Sequence, residues 1–256
     1  IFGVEAYIGW GGERGHLTIL SSGRRGFENL TKLNNMAHEN VVRGFPLTTI
    51  DMLAECNEGL IVLTGCSASP LYFGDFPDAM KFAGTLYDIF GKDRLFAEVM
   101  GVIDEDNISR PRDIAKRLGL KTVVTTDTHF INPEQAGAHQ IMSRCRKGYD
   151  YNSAELYLKT AKQLVETGFL RKLADDRLIY EFMQNTMEIA ESIEIHDLSA
   201  PSVLPKTTGM ADIYALAAKS PVVVGEVAEK RLEREIEVID ALGLKDYFTI
   251  LLDIVN

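Results

Sequence analysis

Short apolar runs alternate with segments of helical period through the first 150 residues, and this alternation constrains the fold more than any other feature of the chain. Residues 1–8 (IFGVEAYI), 16–20 (HLTIL), 60–64 (LIVLT), 95–102 (LFAEVMGV) and 121–126 (KTVVTT) read as strands. Phe27, Leu30, Leu33 and Met36 recur at helical spacing within 26–40, and 76–90 and 112–118 also read as helices, the latter ended by Gly119. A shorter helix begins at 51–54, and residues 9–15 (GWGGERG) read as a tight loop. Repeated βα units with buried strands imply a parallel sheet or barrel with helices outside. After Gly148 strands give way to segments 153–168, 170–195 and 227–242, all helical by period, and 197–209, with Pro201 and Pro205, reads as a linker. The expected organisation is an α/β domain over 1–150 and a helical region over 151–256.

Composition narrows the setting. Hydrophobic residues at 46% and charged residues at 25% fit a soluble globular protein. A net charge of −10 argues against this segment gripping nucleic-acid phosphates by itself, while leaving that role open to a larger assembly. Cys56, Cys66 and Cys145 are too scattered for a disulfide framework, which points to a reducing cytoplasm. Glu5, Glu13 and Arg14 interrupt any signal-peptide pattern. No apolar run approaches the ~20 residues needed to cross a bilayer, so no membrane partner is expected. The chain opens at Ile1 with a strand already in progress and closes after the apolar run 247–255, so it reads as a piece of a longer protein.

The chemistry is expected where the run 121–129 (KTVVTTDTH) ends. Asp127 and His129 stand two apart, so on an extended backbone both side chains leave one face. A carboxylate and an imidazole at a strand's C-terminal end make half of a divalent-metal site; the plainer alternative is a helix-capping Asp beside a hydrogen-bonded loop His. Asn132, Pro133 and Gln135 then offer a cap, a first helical position and a capping box. Glu5 in GVEAY either faces solvent or points into a polar pocket, His16 opens a strand, and Cys66 follows the buried run 60–64. Each has a structural alternative, and what raises all three is position at a strand boundary, where barrel ends converge. His139, in the helix after Asn132, is placed to orient His129 or a neighbour. The glycines of 9–15 do not form a nucleotide-cradling motif.

IFGVEAY, HLTIL followed by GFENLTKL, EGLIVLTGC and TTDTHFINPEQAGAH together resemble the PHP (polymerase and histidinol phosphatase) domain. More narrowly they resemble the bacterial DNA polymerase III α subunits, the C-family replicative polymerases. Residues 234–256 (REIEVIDALGLKDYFTILLDIVN) resemble the segment leading into that family's palm, and ELYLK and EIAES stand in the family's order. The resemblance implies a distorted, TIM-like β/α barrel lacking its first strands, followed by a mainly helical region leading into the palm. It implies a cluster of divalent metals (Zn, Mn or Mg) with Glu5 bridging, His16, Cys66, Asp127 and His129 as ligands, and His139 behind them. The family's opening H-x-H and D-H elements would precede Ile1, and the palm's catalytic aspartates would follow Asn256, leaving sheet edges unpaired.

On this resemblance the parent would be a DNA-directed DNA polymerase using DNA and deoxynucleotides in the cytoplasm. Its partners would be other replicase subunits, such as a proofreading exonuclease and a sliding clamp. The PHP domain within it would act as a metal-dependent phosphoesterase such as a 3′→5′ exonuclease. Two alternatives stay open: a free-standing PHP phosphoesterase, which leaves 234–256 unexplained, and a non-catalytic scaffold that docks a proofreading exonuclease.

Overall fold

A computed structural model describes residues 1–100, 106–147, 154–166, 170–171, 174–194, 206–207, 215, 217, 219 and 224–255. Strands β1 (Gly3–Trp10) and β2 (Glu13–Ser21) form a hairpin closed by Gly11 and Gly12 at φ +60° and +85°. Two consecutive left-handed residues are what a type I′ turn requires, and glycine adopts them without strain. Pairing therefore continues to Trp10↔Glu13, and most of the segment read as a loop is strand. His16 consequently lies inside β2 instead of opening it.

The chain then forms α1 (Arg24–Glu39), the two-residue strands β3 (Val41–Val42) and β4 (Phe45–Pro46), α2 (Ile50–Glu55) and β5 (Leu60–Leu63). Next come α3 (Phe76–Arg94), β6 (Leu95–Met100), α4 (Asp106–Leu118) and β7 (Thr122–Thr125). The main sheet has the order β1-β2-β5-β6-β7. The fold class is α/β as expected, but the sheet is mixed: β1–β2 and β2–β5 pair antiparallel, and only β5–β6 and β6–β7 pair parallel. A two-residue turn cannot carry the crossover that parallel neighbours need, so the first pair had to be antiparallel. The sheet stays open, with β1 and β7 as its outer strands.

Alternation divides the sheet into two unlike faces. Leu17, Ile19, Leu60, Val62, Leu95 and Ala97 face one way and join Leu33, Phe82, Leu86 and Ile114 in the main core. On the other face Ile61, Leu63, Phe96 and Val123 are covered by Ile189 of α7 (Asp176–Ser192). That helix starts where Asp175 accepts a hydrogen bond from the backbone N–H of Leu178 at 2.8 Å.

Neither sheet edge is left bare. The Asn185 carboxamide of α7 donates to the Thr122 carbonyl on β7 at 2.8 Å. On β1, Thr48 N–H donates to the Tyr7 carbonyl at 2.8 Å, and Gly9 N–H to the Thr48 carbonyl at 3.0 Å. These contacts protect the edges that the sequence left unpaired.

Residues 153–168 are not one helix. Among the described residues only α6 (Ala161–Val165) is helical there, and Tyr157 bridges Phe130, so this stretch runs beside the loop after β7. Phe130 packs with buried Leu156, which explains why an extended path wins over helical period. Between them lies α5 (Ala136–Lys147).

The chain divides into two compact units, Ile1–His196 and Asp197–Asn256. The second contains α8 (Glu226–Ala241) and α9 (Lys245–Val255), and Thr207 Oγ1 donates to Asp246 at 2.8 Å near the start of α9. Apart from residues 206 and 207, the expected linker 197–209 lies outside the described residues. Among the described residues no helix is long and apolar enough to cross a membrane.

The packing of α7 gives a direct test. Ile189 is 5% exposed and Met187 is 53% exposed on the same helix. Ile189→Ala should cost about 3 kcal/mol in denaturant unfolding, and Met187→Ala less than about 0.5 kcal/mol. Equal effects would mean that this face of α7 is not seated on the sheet.

Candidate metal centre

Because β1 and β5 both pair antiparallel to β2, β1 runs in the same direction as β5, β6 and β7. The end of the sheet carrying the β1–β2 turn is thus also the end where β5 and β7 finish. Glu5 and His16 lie on one face of the hairpin, since Glu5 pairs with Thr18, two residues from His16. His16 Nδ1 stands 2.9 Å from Glu5 Oε1.

Cys66 reaches the same point through the turn after β5. Gly65 has φ +89°, and a Cβ there would lie 2.5 Å from the His16 carbonyl oxygen, so only glycine fits. The turn is pinned by Thr64 N–H to the Phe96 carbonyl (3.0 Å), Ser69 N–H to the Cys66 carbonyl (2.8 Å) and His16 N–H to the Ala68 carbonyl (3.0 Å). Cys66 Sγ then sits 3.4 Å from His16 Nδ1 and 3.7 Å from Glu5 Oε1. Carboxylate oxygen, imidazole nitrogen and thiol sulfur all lie within 4.8 Å of one another, a donor set that suits a divalent cation.

Asp127 and His129 form a second pair. The expectation of an extended backbone fails here: β7 ends at Thr125, and Asp127 is left-handed at φ +47°. Asp is among the few residues that tolerate this conformation, and the turn replaces simple alternation. His129 Nδ1 approaches the Asp127 backbone carbonyl (2.6 Å) and the Asp127 carboxylate (3.8 Å). Among the described residues, the group drawn together within 4.8 Å includes Glu5, His16 and Cys66 but not this pair. His129 is nonetheless near enough to influence Glu5 electrostatically, and its ring lies 5.1 Å from that of His139 on α5. After it, the Gln135 carboxamide oxygen accepts from the backbone N–H groups of Ile131 and Asn132, both at 2.9 Å, as the capping pattern expects.

A further acidic residue belongs to this face. Glu98, in the middle of β6, is only 3% exposed, and its carboxylate accepts from Thr125 Oγ1 (2.8 Å), Gly65 N–H (3.0 Å) and Thr18 Oγ1 (3.2 Å). It thus ties β2, the Cys66 turn and the end of β7 together. The available signal was an acid inside an otherwise apolar strand, LFAEVM, which burial on both faces makes costly unless it is bonded. Burial pushes its carboxyl above the usual range, against the pull of Thr125, Thr18 and Gly65, and the nearby Asp127 charge adds to the rise.

The Glu5–His16–Cys66 cluster holds its charges differently. Hydrogen bonding to Cys66 and then to Glu5 pushes the His16 imidazole up to about 10, against the effect of burial. Glu5 is held below the usual carboxylate range chiefly by its hydrogen bond to His16.

Residues 1–101 match the PHP domain family, a span that includes Glu5, His16, Cys66 and Glu98. Beyond the PHP match, the chain is similar over nearly its whole length to DNA polymerase III α subunits. That of Saccharopolyspora erythraea is 27% identical across 99% of this chain and 23% of the relative. That of Aquifex aeolicus is 25% identical across 94% and 23%, and that of Mycobacterium tuberculosis 25% identical across 100% and 25%. The chain therefore spans about a quarter of the length of the curated relatives it matches. Asp127 and His129 lie outside the 1–101 match but inside the stretch shared with these relatives.

Two outcomes are expected of the metal-free protein. Glu98→Ala strands three donors and should lower unfolding stability by about 3 kcal/mol, whereas Glu98→Gln keeps an acceptor and should lose less than half of that; equal losses would contradict the bonded carboxylate. For His16, a folded pKa near 10 against an ordinary 6.5 means that its stabilisation is full below about 6.5 and is lost as pH rises towards 10. An NMR titration of the His16 ring should accordingly show a midpoint well above 6.5, displaced downward by Cys66→Ala. A wild-type midpoint at 6.5 would refute the coupling.

Proposed function

We propose that this chain is part of a replicative DNA-directed DNA polymerase, a DNA polymerase III α subunit, and that its PHP domain is a divalent-metal phosphoesterase acting at DNA 3′ ends. The convergence of Glu5 on β1, His16 on β2 and Cys66 in the turn after β5 is the observation that carries the metal reading. The polymerase reading is supported by similarity that runs through 94–100% of the chain. On this reading the PHP domain occupies 1–150 and the helical extension towards the palm 151–256. The parent works in the cytoplasm on DNA and deoxynucleotides, with a proofreading exonuclease and a sliding clamp as partners.

Glu5, His16, Cys66, Asp127 and His129 are the proposed ligands, with His139 holding the His129 ring by edge contact. A bound divalent ion would supply Lewis-acid neutralisation of a phosphate and activation of water. The two oxygens of Glu5 suit it to span neighbouring cations, and Cys66 as thiolate with His16 as neutral imidazole inclines the site towards zinc. His16 must give up its proton to ligate, so metal uptake releases a proton from this cluster. Glu98, bonded through both oxygens to the fold, holds the Cys66 turn and the Thr125 end of β7 in place.

The test joins metal analysis to an activity assay. The purified chain should retain at least stoichiometric zinc or manganese by elemental analysis and shorten a 5′-labelled single-stranded oligonucleotide from its 3′ end. Cys66→Ala and Asp127→Ala should each reduce metal affinity or cleavage by at least about tenfold. A protein that binds no metal and cleaves nothing would favour the scaffold reading.

A further inference from the structure

We infer that Arg14 is a phosphate-recognition group at the mouth of the proposed metal centre, engaging the phosphodiester next to the one held over Glu5, His16 and Cys66. This rests on the metal-centre reading above. Arg14 lies in β2 two residues from His16, hence on the same face, and one step nearer the β1–β2 turn. Because that turn lies at the ligand-bearing end of the sheet, Arg14 stands outside His16 where a strand entering the site must pass.

Its side chain is already oriented. The guanidinium carbon lies 3.6 Å from the centre of the Phe45 ring and 4.8 Å from that of Tyr7. Tyr7 meets Phe45 edge-on at 5.3 Å and the His16 ring edge-on at 5.2 Å, so the rest for the arginine is continuous with the ligand cluster. Opposite Arg14 in the hairpin stands Gly9, which puts no side chain between the guanidinium and Tyr7.

Stacking uses the flat faces of a guanidinium and leaves its in-plane N–H donors pointing outward, the geometry that matches two phosphate oxygens. Among the described residues no carboxylate forms an ion pair with Arg14, in a chain carrying 37 acidic residues against 27 basic ones. A merely solvated arginine on this hairpin needs neither ring, and a structural one would be expected to neutralise an acid. The net charge of −10 argues against a broad nucleic-acid-binding surface, but a single cation fixed beside an anionic cluster selects where a phosphate chain can lie.

The probes are thymidine monophosphate, which has one phosphate, and a short 5′-phosphorylated oligothymidylate, titrated into the Mn2+-loaded chain. Arg14→Ala should weaken oligothymidylate binding about tenfold, leave the monophosphate within about twofold, and lower the salt dependence by roughly one phosphate contact. Phe45→Ala, which removes the rest but keeps the charge, should give a smaller loss in the same direction. Equal losses for both probes, or none for either, would overturn the inference. Elemental analysis of the same samples separates the two readings: a metal-free wild type defeats the metal centre, while the Arg14-dependent salt slope still decides the role of the arginine.

Discussion

The bonding of one buried carboxylate holds the site-bearing half of this sheet together. Glu98 is 3% exposed in a strand whose other five residues are all buried, and an ionised acid placed there without partners would be prohibitive. The sheet answers with a ring of donors drawn from three different places: Thr18 on β2, the Gly65 N–H after β5 and Thr125 on β7. The Glu98 backbone is caught as well, donating to Thr64 Oγ1 at 2.9 Å. Every partner lies one or two residues from a proposed ligand. Forming the bonds that make Glu98 tolerable therefore also fixes His16, Cys66 and Asp127.

Seen along the strands, this face is graded. Ile61, Leu63, Phe96 and Val123 under Ile189 form an apolar floor. Thr18, Glu98 and Thr125 form a bonded polar layer above it. The proposed ligands come next, and Cys66, Asp127 and His129 among them depend on two departures from strand geometry, the left-handed turns at Gly65 and Asp127. Such conformations persist only where surrounding contacts over-determine them. The three backbone hydrogen bonds around 64–69 and the pairing of His129 with Leu156 supply that determination.

What could be read from residues alone followed how local the cause was. The strands, the principal helices and the α/β class were readable because period is a short-range signal. The direction of pairing was obscured by the glycine-rich segment 9–15: its two central glycines close a type I′ turn, but the flanking residues look equally loop-like until they find strand partners. The 153–168 segment departs from its helical period because Leu156 is held extended by a contact with Phe130, twenty-six residues earlier, that the period cannot register. Glu5, His16 and Cys66 could be named from strand ends and family resemblance, yet their meeting depends on register. Glu98 escaped because an acid in a strand ordinarily faces water, and only long-range donors reveal that this one does not.

Charge balance explains why the layers occur in this order. Without a cation, the Glu5 carboxylate and the Cys66 sulfur converge on one imidazole, whose proton affinity is raised first by its hydrogen bonds to Cys66 and Glu5. The Asp127 charge also pushes on Glu98, so negative groups crowd this end of the face in excess and the His16 proton relieves them in part. A divalent cation would relieve it more fully than that proton, which makes metal uptake and proton loss two sides of one equilibrium. The same excess would repel an incoming phosphate unless positive charge also stood at the entrance. Arg14, held on Phe45 and Tyr7 instead of collapsing onto Glu5, keeps positive charge at the rim without competing for the ligands below.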